Sequence, residues 1–363
     1  MAHVRFAARD PGGANVIAGF LGRCGADLPF TFDVWTLPRA TAIFRRGGLD
    51  TREFSEDFDL AEMAEAWTAS PADALVTGTS HYAAFEAGLW EVARRDGCPS
   101  LALNDAWANL SERFAAGHPD HVGAVDATQA RDLALLGFPP ERIIVTGHPW
   151  LSPLIERRDE LIATTDVPGD GGGTRVLFVS ECIASDVARG VQAAFGFDEF
   201  DAFDLVYRAA AVAARGDRPV RLMVKCHPYE DVEAFRQRLE RYPRQPGLAV
   251  QVLGGEEQPY RWILWSDVVT GMTSTLLLEA IVLGRPVLSV QPGLARDNGF
   301  IAGRLGFAPT LTDPAEAERV LAEVIRRPAA RAALVERQRP FIETIPADSI
   351  TPVMNWIRAH TGR

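Results

Sequence analysis

Paired cysteines are missing from this chain. Its four cysteines, Cys24, Cys98, Cys182 and Cys226, stand singly, and no CxxC occurs. That excludes a thioredoxin-like redox motif and the usual zinc spacings, and scattered single thiols suit a reducing compartment. Basic charge is also short: 37 Lys and Arg against 48 Asp and Glu leave a formal net charge of −11. Such a chain is poorly suited to coating nucleic acid by neutralising phosphates, and no polybasic segment serves an anionic membrane surface. No apolar run reaches bilayer-spanning length; the longest, around 276–283, is broken by Glu279. Charges at Arg5 and Arg9 stand where a signal peptide would be apolar. These absences lead us to expect a cytoplasmic protein.

What is present is core material for two domains. The chain has 363 residues, 47% hydrophobic and 23% charged, too long for one comfortable core. Short apolar runs alternate with amphipathic ones. Strands are expected over 3–8, 32–35, 73–77, 100–103, 122–125 and 143–146, with helices such as 14–23, 60–69 and 82–95 between them. Residues 148–153 (HPWLSP) and 168–173 (PGDGGG) mark a break around a short charged helix over 154–163. The alternation restarts with strands over 175–179, 220–225, 249–253, 267–270 and 286–290, and helices over 201–215, 231–241, 274–283 and 313–326. Asp313 and Pro314 form the start of the last of these. A closing helix from Thr351 puts Val353, Trp356, Ile357 and His360 on one face. The expected organisation is an α/β chain of two doubly wound, Rossmann-like domains facing a cleft: 1–150, a connection over 151–173, 174–345, and a terminal helix over 346–363.

Candidate site residues gather at strand ends. After the first strand, Pro11, Gly12, Gly13, Ala14 and Asn15 form either a tight turn or a backbone approach to a ligand; the spacing is not GxGxxG. Thr77-Gly78-Thr79-Ser80-His81 ends another strand, with Ser80 suited to a helix cap and His81 to the cleft. Asn104, Asp105 and Trp107 place a carboxylate beside an aromatic ring, an arrangement that suits a general base, although an Asn-Asp pair also makes turns. Lys225 and His227, with Pro228 after them, could hold a diphosphate. Ser180 and Glu181 either contact phosphate or sugar or form a plain turn. The sharpest pattern is 266–280: a strand ends in Gly271, Thr273, Ser274 and Thr275 follow, and an apolar helix begins. Hydroxyls and N–H groups at a helix start make a phosphate seat. Glu279, alone on that helix, needs partners: either ribose hydroxyls or a base such as Arg285.

In motif order the chain resembles the GT-B superfamily, in particular the branch of UDP-N-acetylglucosamine 2-epimerases and their bacterial glycosyltransferase relatives. The stretch 142–149 (RIIVTGHP) is similar to the strand end that closes the first domain there, and 267–286 is similar to the family's phosphate- and ribose-binding strand, loop and helix. The resemblance implies diphosphate contacts at Thr273, Ser274 and Thr275, ribose binding by Glu279, a cleft histidine at His227, a catalytic carboxylate at Asp105, and a final helix crossing back to the first domain. There are departures. Ser180-Glu181-Cys182-Ile183 replaces the epimerases' His-Arg-rich loop, and Thr79 replaces an acidic residue. The His227-Pro228 pair with a downstream hydroxyl cluster is also similar to sialyl-, Kdo- and glycerophosphotransferases, which use cytidine nucleotides.

The resulting expectation is a metal-independent glycosyltransferase of bacterial glycan biosynthesis, moving a sugar from a UDP- or CMP/CDP-linked donor to a hydroxyl acceptor. Gly12, Gly13, Asn15, Asn104 and Trp107 would serve the acceptor or sugar side. Asp105, His81 and His227 would be catalytic. Ser180, Glu181, Lys225, His227, Thr273, Ser274, Thr275 and Glu279 would bind the nucleotide. No DxD stands at a strand end, so no metal is expected, and no further cofactor. The alternatives are an epimerase or hydrolase of the sugar nucleotide, and a non-catalytic sugar-nucleotide-binding subunit. The pattern admits a homodimer.

Overall fold

Strands that are apolar on both faces must lie in a sheet covered on both sides. The computed structural model builds two such sheets; it describes residues 1–25, 28–80, 84–169, 172–190, 194–215 and 218–362. The chain divides into two units, Met1–Glu156 with Thr344–Arg363, and Arg157–Glu343. Among the described residues no helix is long and apolar enough to cross a membrane.

The first unit holds β1 (Ala2–Ala8), β2 (Phe30–Thr36), β3 (Arg52–Glu53), β4 (Ala74–Thr77), β5 (Ser100–Leu103), β6 (His121–Ala124) and β7 (Ile143–Val145), in the order β3-β2-β1-β4-β5-β6-β7. Every pairing is parallel. Side chains alternate between two cores. Val4, Phe6, Val76 and Leu103 enter one, with Ile17 and Phe20 of helix Pro11–Cys24 and with Val353, Met354, Trp356 and Ile357 of the final helix Thr351–Thr361. Ala7, Leu75, Ala102 and Val122 enter the other, with Trp67, Phe85 and Trp90. The last helix therefore belongs to the first unit's core. Arg5 is buried in the middle of β1; it stacks 3.7 Å over Trp35, pairs with Asp33 at 2.9 Å and donates to Ser70 O at 2.6 Å. Such pairing is what makes a buried guanidinium tolerable.

The second unit repeats the plan with β8 (Thr174–Val179), β9 (Val220–Lys225), β10 (Leu248–Leu253), β11 (Val268–Gly271), β12 (Val287–Val290) and β13 (Thr310–Leu311), ordered β10-β9-β8-β11-β12-β13 and parallel throughout. Val176 and Phe178 pack on Phe203, Val206 and Ala210 of helix Glu199–Ala214.

Two differences from expectation have local causes. The edge strands β3 and β13 are two residues each, too short to show a strand pattern. The charged helix expected over 154–163 is two helices, Leu151–Glu156 and Arg158–Thr164, interrupted at Arg157 (φ −98°, ψ 8°). The boundary between the units falls at that interruption.

Each sheet starts near its centre and winds both ways, so strand order reverses between β1 and β4 and between β8 and β11. Loops leaving the carboxyl ends of such neighbours form the fold's ligand crevices. At the first reversal the first turn of helix Pro11–Cys24 and the loop after β4 touch through glycines. A Cβ on Gly78 would stand 2.5 Å from Gly13 Cα, and one on Gly13 would stand 2.9 Å from Gly78 Cα. Gly78→Ala should therefore cost about 1–3 kcal/mol of unfolding free energy by overpacking, measured by urea denaturation. Gly22→Ala, where an added Cβ meets nothing within 4 Å, should cost none. Equal stability of the Gly78 variant and wild type would show that the contact imposes nothing.

Candidate functional site

At the second reversal, β8 and β11 end side by side, with Val179 opposite Gly271. The chain leaves β11 through Met272, Thr273 and Ser274 and enters helix Thr275–Val282, capped by Ser274, whose side chain accepts from Leu276 N at 3.3 Å. The first N–H groups of such a helix need acceptors. The Glu181 carboxylate, which leaves the end of β8, meets the N–H groups just ahead of the helix. It accepts from Thr273 N at 2.6 Å, Thr273 Oγ1 at 2.6 Å and Ser274 N at 2.9 Å. A cavity of about 290 Å³ opens beside this group, lined in part by Glu181, Asp186, His227, Thr273, Ser274 and Thr275. Glu279 is buried further along the same helix.

His227 reaches the cavity from the end of β9. Its Nδ1 lies 3.2 Å from Cys182 Sγ and accepts from Tyr229 N at 3.3 Å. With a backbone N–H directed at Nδ1, the ring proton belongs on Nε2 in the neutral form, making Nε2–H a donor and the Cys182 thiol a donor to Nδ1. Burial lowers the His227 pKa and pushes the Cys182 thiol up to about 12, so both groups are neutral here. Lys225 turns elsewhere: its Nζ donates to Cys226 O at 3.1 Å and Gly255 O at 2.6 Å. Ser180 donates to Glu230 at 2.6 Å, and Glu230 also accepts from His227 N. Burial is the main cause that raises the Glu181 and Glu199 carboxyls and lifts Glu230 to about 7.

In the first unit Asp105 is not a lone carboxylate beside a ring. Arg113 donates to Asp105 Oδ1 at 2.5 Å and to Thr79 Oγ1 at 2.7 Å. Thr79 in turn donates to Asn104 Oδ1 at 3.3 Å, and Asn104 donates to Gly123 O at 2.9 Å. Trp107 stacks on His148 with centroids 5.2 Å apart and donates to Asp126 at 2.8 Å. His148 Nδ1 accepts from Trp150 N and Leu151 N, so Nε2–H donates to Asp105 O at 3.0 Å; burial pushes its pKa down to about 4. Gly12 packs on Asp105, since a Cβ there would lie 1.9 Å from Oδ2. Asn15 is exposed on helix Pro11–Cys24. His81 lies outside the described residues. Among the described residues no cluster of three or more His, Cys, Asp or Glu could hold a metal ion.

Glu86 was not among the expected site residues. It is fully buried near the first reversal, accepting from Ser80 Oγ at 2.5 Å and Arg9 N at 3.1 Å. Ser80 thus donates to a carboxylate, and the residues that would receive it as a helix cap, 81–83, lie outside the described residues. The sequence signal was available: a single acid in the apolar run 84–90, the same feature that singled out Glu279.

No protein-family model matches the sequence, and no curated protein matches it. Solved structures do. The chain is similar to a Staphylococcus aureus MnaA–UDP co-structure at TM-score 0.70 and 11% identity, covering 100% of this chain and 97% of that one. It is similar to MurG of Acinetobacter baumannii at TM-score 0.62 and 14% identity, over 100% of both chains. It is also similar to a UDP-GlcNAc 2-epimerase of Neisseria meningitidis bound to UDP-GlcNAc, at TM-score 0.61 and 12% identity over 99% of both. The chain has the two-domain, Rossmann-like GT-B fold.

Burial lifts the Glu86 carboxyl from its ordinary value of 4.5 to about 7. The folded state thus holds a proton that the unfolded chain has already released. Its contribution is full below pH 4.5 and is lost as pH rises through 7. Glu86→Gln should be more stable than wild type at pH 8 by a few kcal/mol, at about 1.4 kcal/mol per pKa unit, with a smaller gain at pH 5. Denaturant midpoints at the two pH values measure it; a gain independent of pH would mean that Glu86 does not titrate there.

Proposed function

We propose that this chain is an enzyme acting on a sugar nucleotide, and specifically a glycosyltransferase that moves the sugar to a hydroxyl acceptor without a metal ion. The observation that carries the reading is the seat at the start of helix Thr275–Val282. There two backbone N–H groups and a hydroxyl converge on a single oxyanion beside a cavity. Phosphate oxygens demand the same donors. The 267–286 pattern and the GT-B fold support the same assignment, as do structures of that fold solved with UDP or UDP-GlcNAc.

In this proposal Thr273, Ser274 and Thr275 hold the diphosphate, His227 Nε2–H donates to it, and Glu279 takes the ribose hydroxyls. Asp105 removes the acceptor's proton as the acceptor oxygen bonds the anomeric carbon and the bond to the diphosphate breaks. The seat then stabilises the negative charge left on the diphosphate. Lys225 acts by holding the 226 and 255 carbonyls rather than by touching phosphate, because both are its partners.

A second reading is epimerisation or hydrolysis of the sugar nucleotide, favoured by the 2-epimerase among the similar structures. It differs in consuming donor without acceptor. The departures at Ser180-Glu181-Cys182 and Thr79 weigh against epimerase chemistry.

A thermal-shift series with UMP, UDP, CMP and CDP should single out one base. At about a hundredfold over Kd, binding adds ~2.7 kcal/mol to stability. Glu279→Ala and Thr273→Val should weaken binding, whereas Asp105→Asn should spare it and abolish transfer. No shift with any nucleotide would end the proposal, and full transfer by the Asp105 variant would end the base assignment.

A further inference from the structure

The phosphate seat is held by a carboxylate of the protein itself. We propose that Glu181 is the seat's resident occupant and an internal competitor, which a ligand's phosphate must displace in order to bind. This rests on reading the 273–275 turn as a phosphate seat, and it changes the part Glu181 plays, from a nucleotide contact to a gate on ligand charge.

The geometry is specific. Thr273 N, Thr273 Oγ1 and Ser274 N are all engaged by the Glu181 oxygens, at 2.6 to 2.9 Å. A phosphate cannot use these donors while Glu181 keeps them. A cavity borders the seat, so an incoming phosphoryl group has a place from which to compete. Occupancy by Glu181 is also weak for its number of donors. Burial raises its pKa despite bonds from Thr273 and Ser274, so removal from water costs the carboxylate more than the seat returns.

The surroundings make the exchange depend on charge. Glu230, on the loop after β9 and bonded to Ser180, and Glu199, on helix Glu199–Ala214 and bonded to Ala184 N, are near enough to Glu181 to feel its charge, and Asp186 of helix Ile183–Ala188, paired with exposed Arg189 at 2.6 Å, lines the cavity. His227 is neutral, and the Lys225 ammonium is directed at two carbonyls. An external carboxylate offers the seat nothing that Glu181 does not, and Glu181 competes at the high effective concentration of a tethered group. A phosphate brings more acceptor oxygens, and these must outweigh the cost of its extra charge beside the neighbouring acids. The seat should therefore reject free carboxylates and admit phosphates, and of these a diphosphate carries the most acceptors.

The test uses the full chain and inorganic pyrophosphate, with affinity read by calorimetry. Wild type should bind pyrophosphate weakly and show no response to acetate. Glu181→Ala should bind pyrophosphate at least about tenfold tighter, equivalent to about 1.4 kcal/mol, and its thermal midpoint should rise with acetate, which refills the emptied seat. Glu181→Gln, which keeps the shape without the charge, should fall between the two and serves if the alanine variant does not fold. A Glu181 variant that binds no tighter than wild type overturns the proposal. So does binding by the variant alone, since Glu181 would then be a fixed plug and not a displaceable occupant. A nucleotide arm separates this from the enzymatic reading: if pyrophosphate behaves as expected but no nucleotide binds better than pyrophosphate, the competitor stands and the sugar-nucleotide assignment falls.

Discussion

Everything assigned to the second unit depends on one unmet demand of the backbone. A helix that starts at the carboxyl end of a parallel strand presents N–H groups that no carbonyl within it can satisfy. Here the turn just ahead of the helix adds the N–H groups of Thr273 and Ser274, and close strand packing sets their place. A Cβ on Gly271 would lie 2.6 Å from Val179 O, so only glycine lets β11 end against β8 and bring Thr273 and Ser274 within reach of Glu181. The donors are thus fixed by the sheet, and in the proposed binding mode only the oxyanion that meets them changes. Preorganised donors of this kind need no reorganisation when charge develops on a leaving group.

The two sheets resolve their reversal points with the same residue type. Glu86 in the first unit and Glu181 in the second both lie where strand order reverses, the first buried and the second half-buried, and both accept from a hydroxyl and a backbone N–H. Their settings differ in one respect. Ser80 and Arg9 N leave Glu86 at about 7, so it stores a proton near neutrality. Glu181 sits on a helix start beside a cavity, so it meets a replaceable partner. A shared architecture thus carries an acid at each reversal, one holding a proton near neutrality and the other holding the donors just ahead of a helix.

The doubly wound plan was legible because buried parallel strands are continuous apolar runs and the helices between them are long. Helix starts with explicit chemistry were equally legible: Asp313, read as a cap before Pro314, accepts from Glu316 N at 2.8 Å. The 273–275 turn was legible as hydroxyls and N–H groups gathered at a helix start, and in the fold two of its residues meet a carboxylate. That carboxylate was not legible, because Glu181 lies 92 residues from Thr273 and nothing local to either marks the pairing. The direction of Lys225 was hidden for a similar reason. A lysine at a strand end can turn toward a ligand or toward neighbouring carbonyls, and the decision belongs to Gly255 on a distant loop. Arg113 escaped notice because a four-residue helix, Leu110–Arg113, is too short to show a face.

Gly12 and Asp105 show how such pairings reassign a motif. Read alone, the adjacent glycines after β1 suggested either a tight turn or a backbone approach to ligand. In the fold each has a protein neighbour: Gly13 meets Gly78, and Gly12 makes room for Asp105 Oδ2. The carboxylate is consequently held on both sides, with Oδ1 on Arg113 and Oδ2 over a residue that has no side chain to block it. A general base needs a fixed oxygen within hydrogen-bond reach of the proton it takes. Oδ1 is committed to a guanidinium that also holds Thr79, which leaves Oδ2 as the oxygen that can serve. Gly12 matters here by absence: a Cβ on it would lie 1.9 Å from Asp105 Oδ2, so any side chain would push the carboxylate off the position that the proposed reaction requires of it.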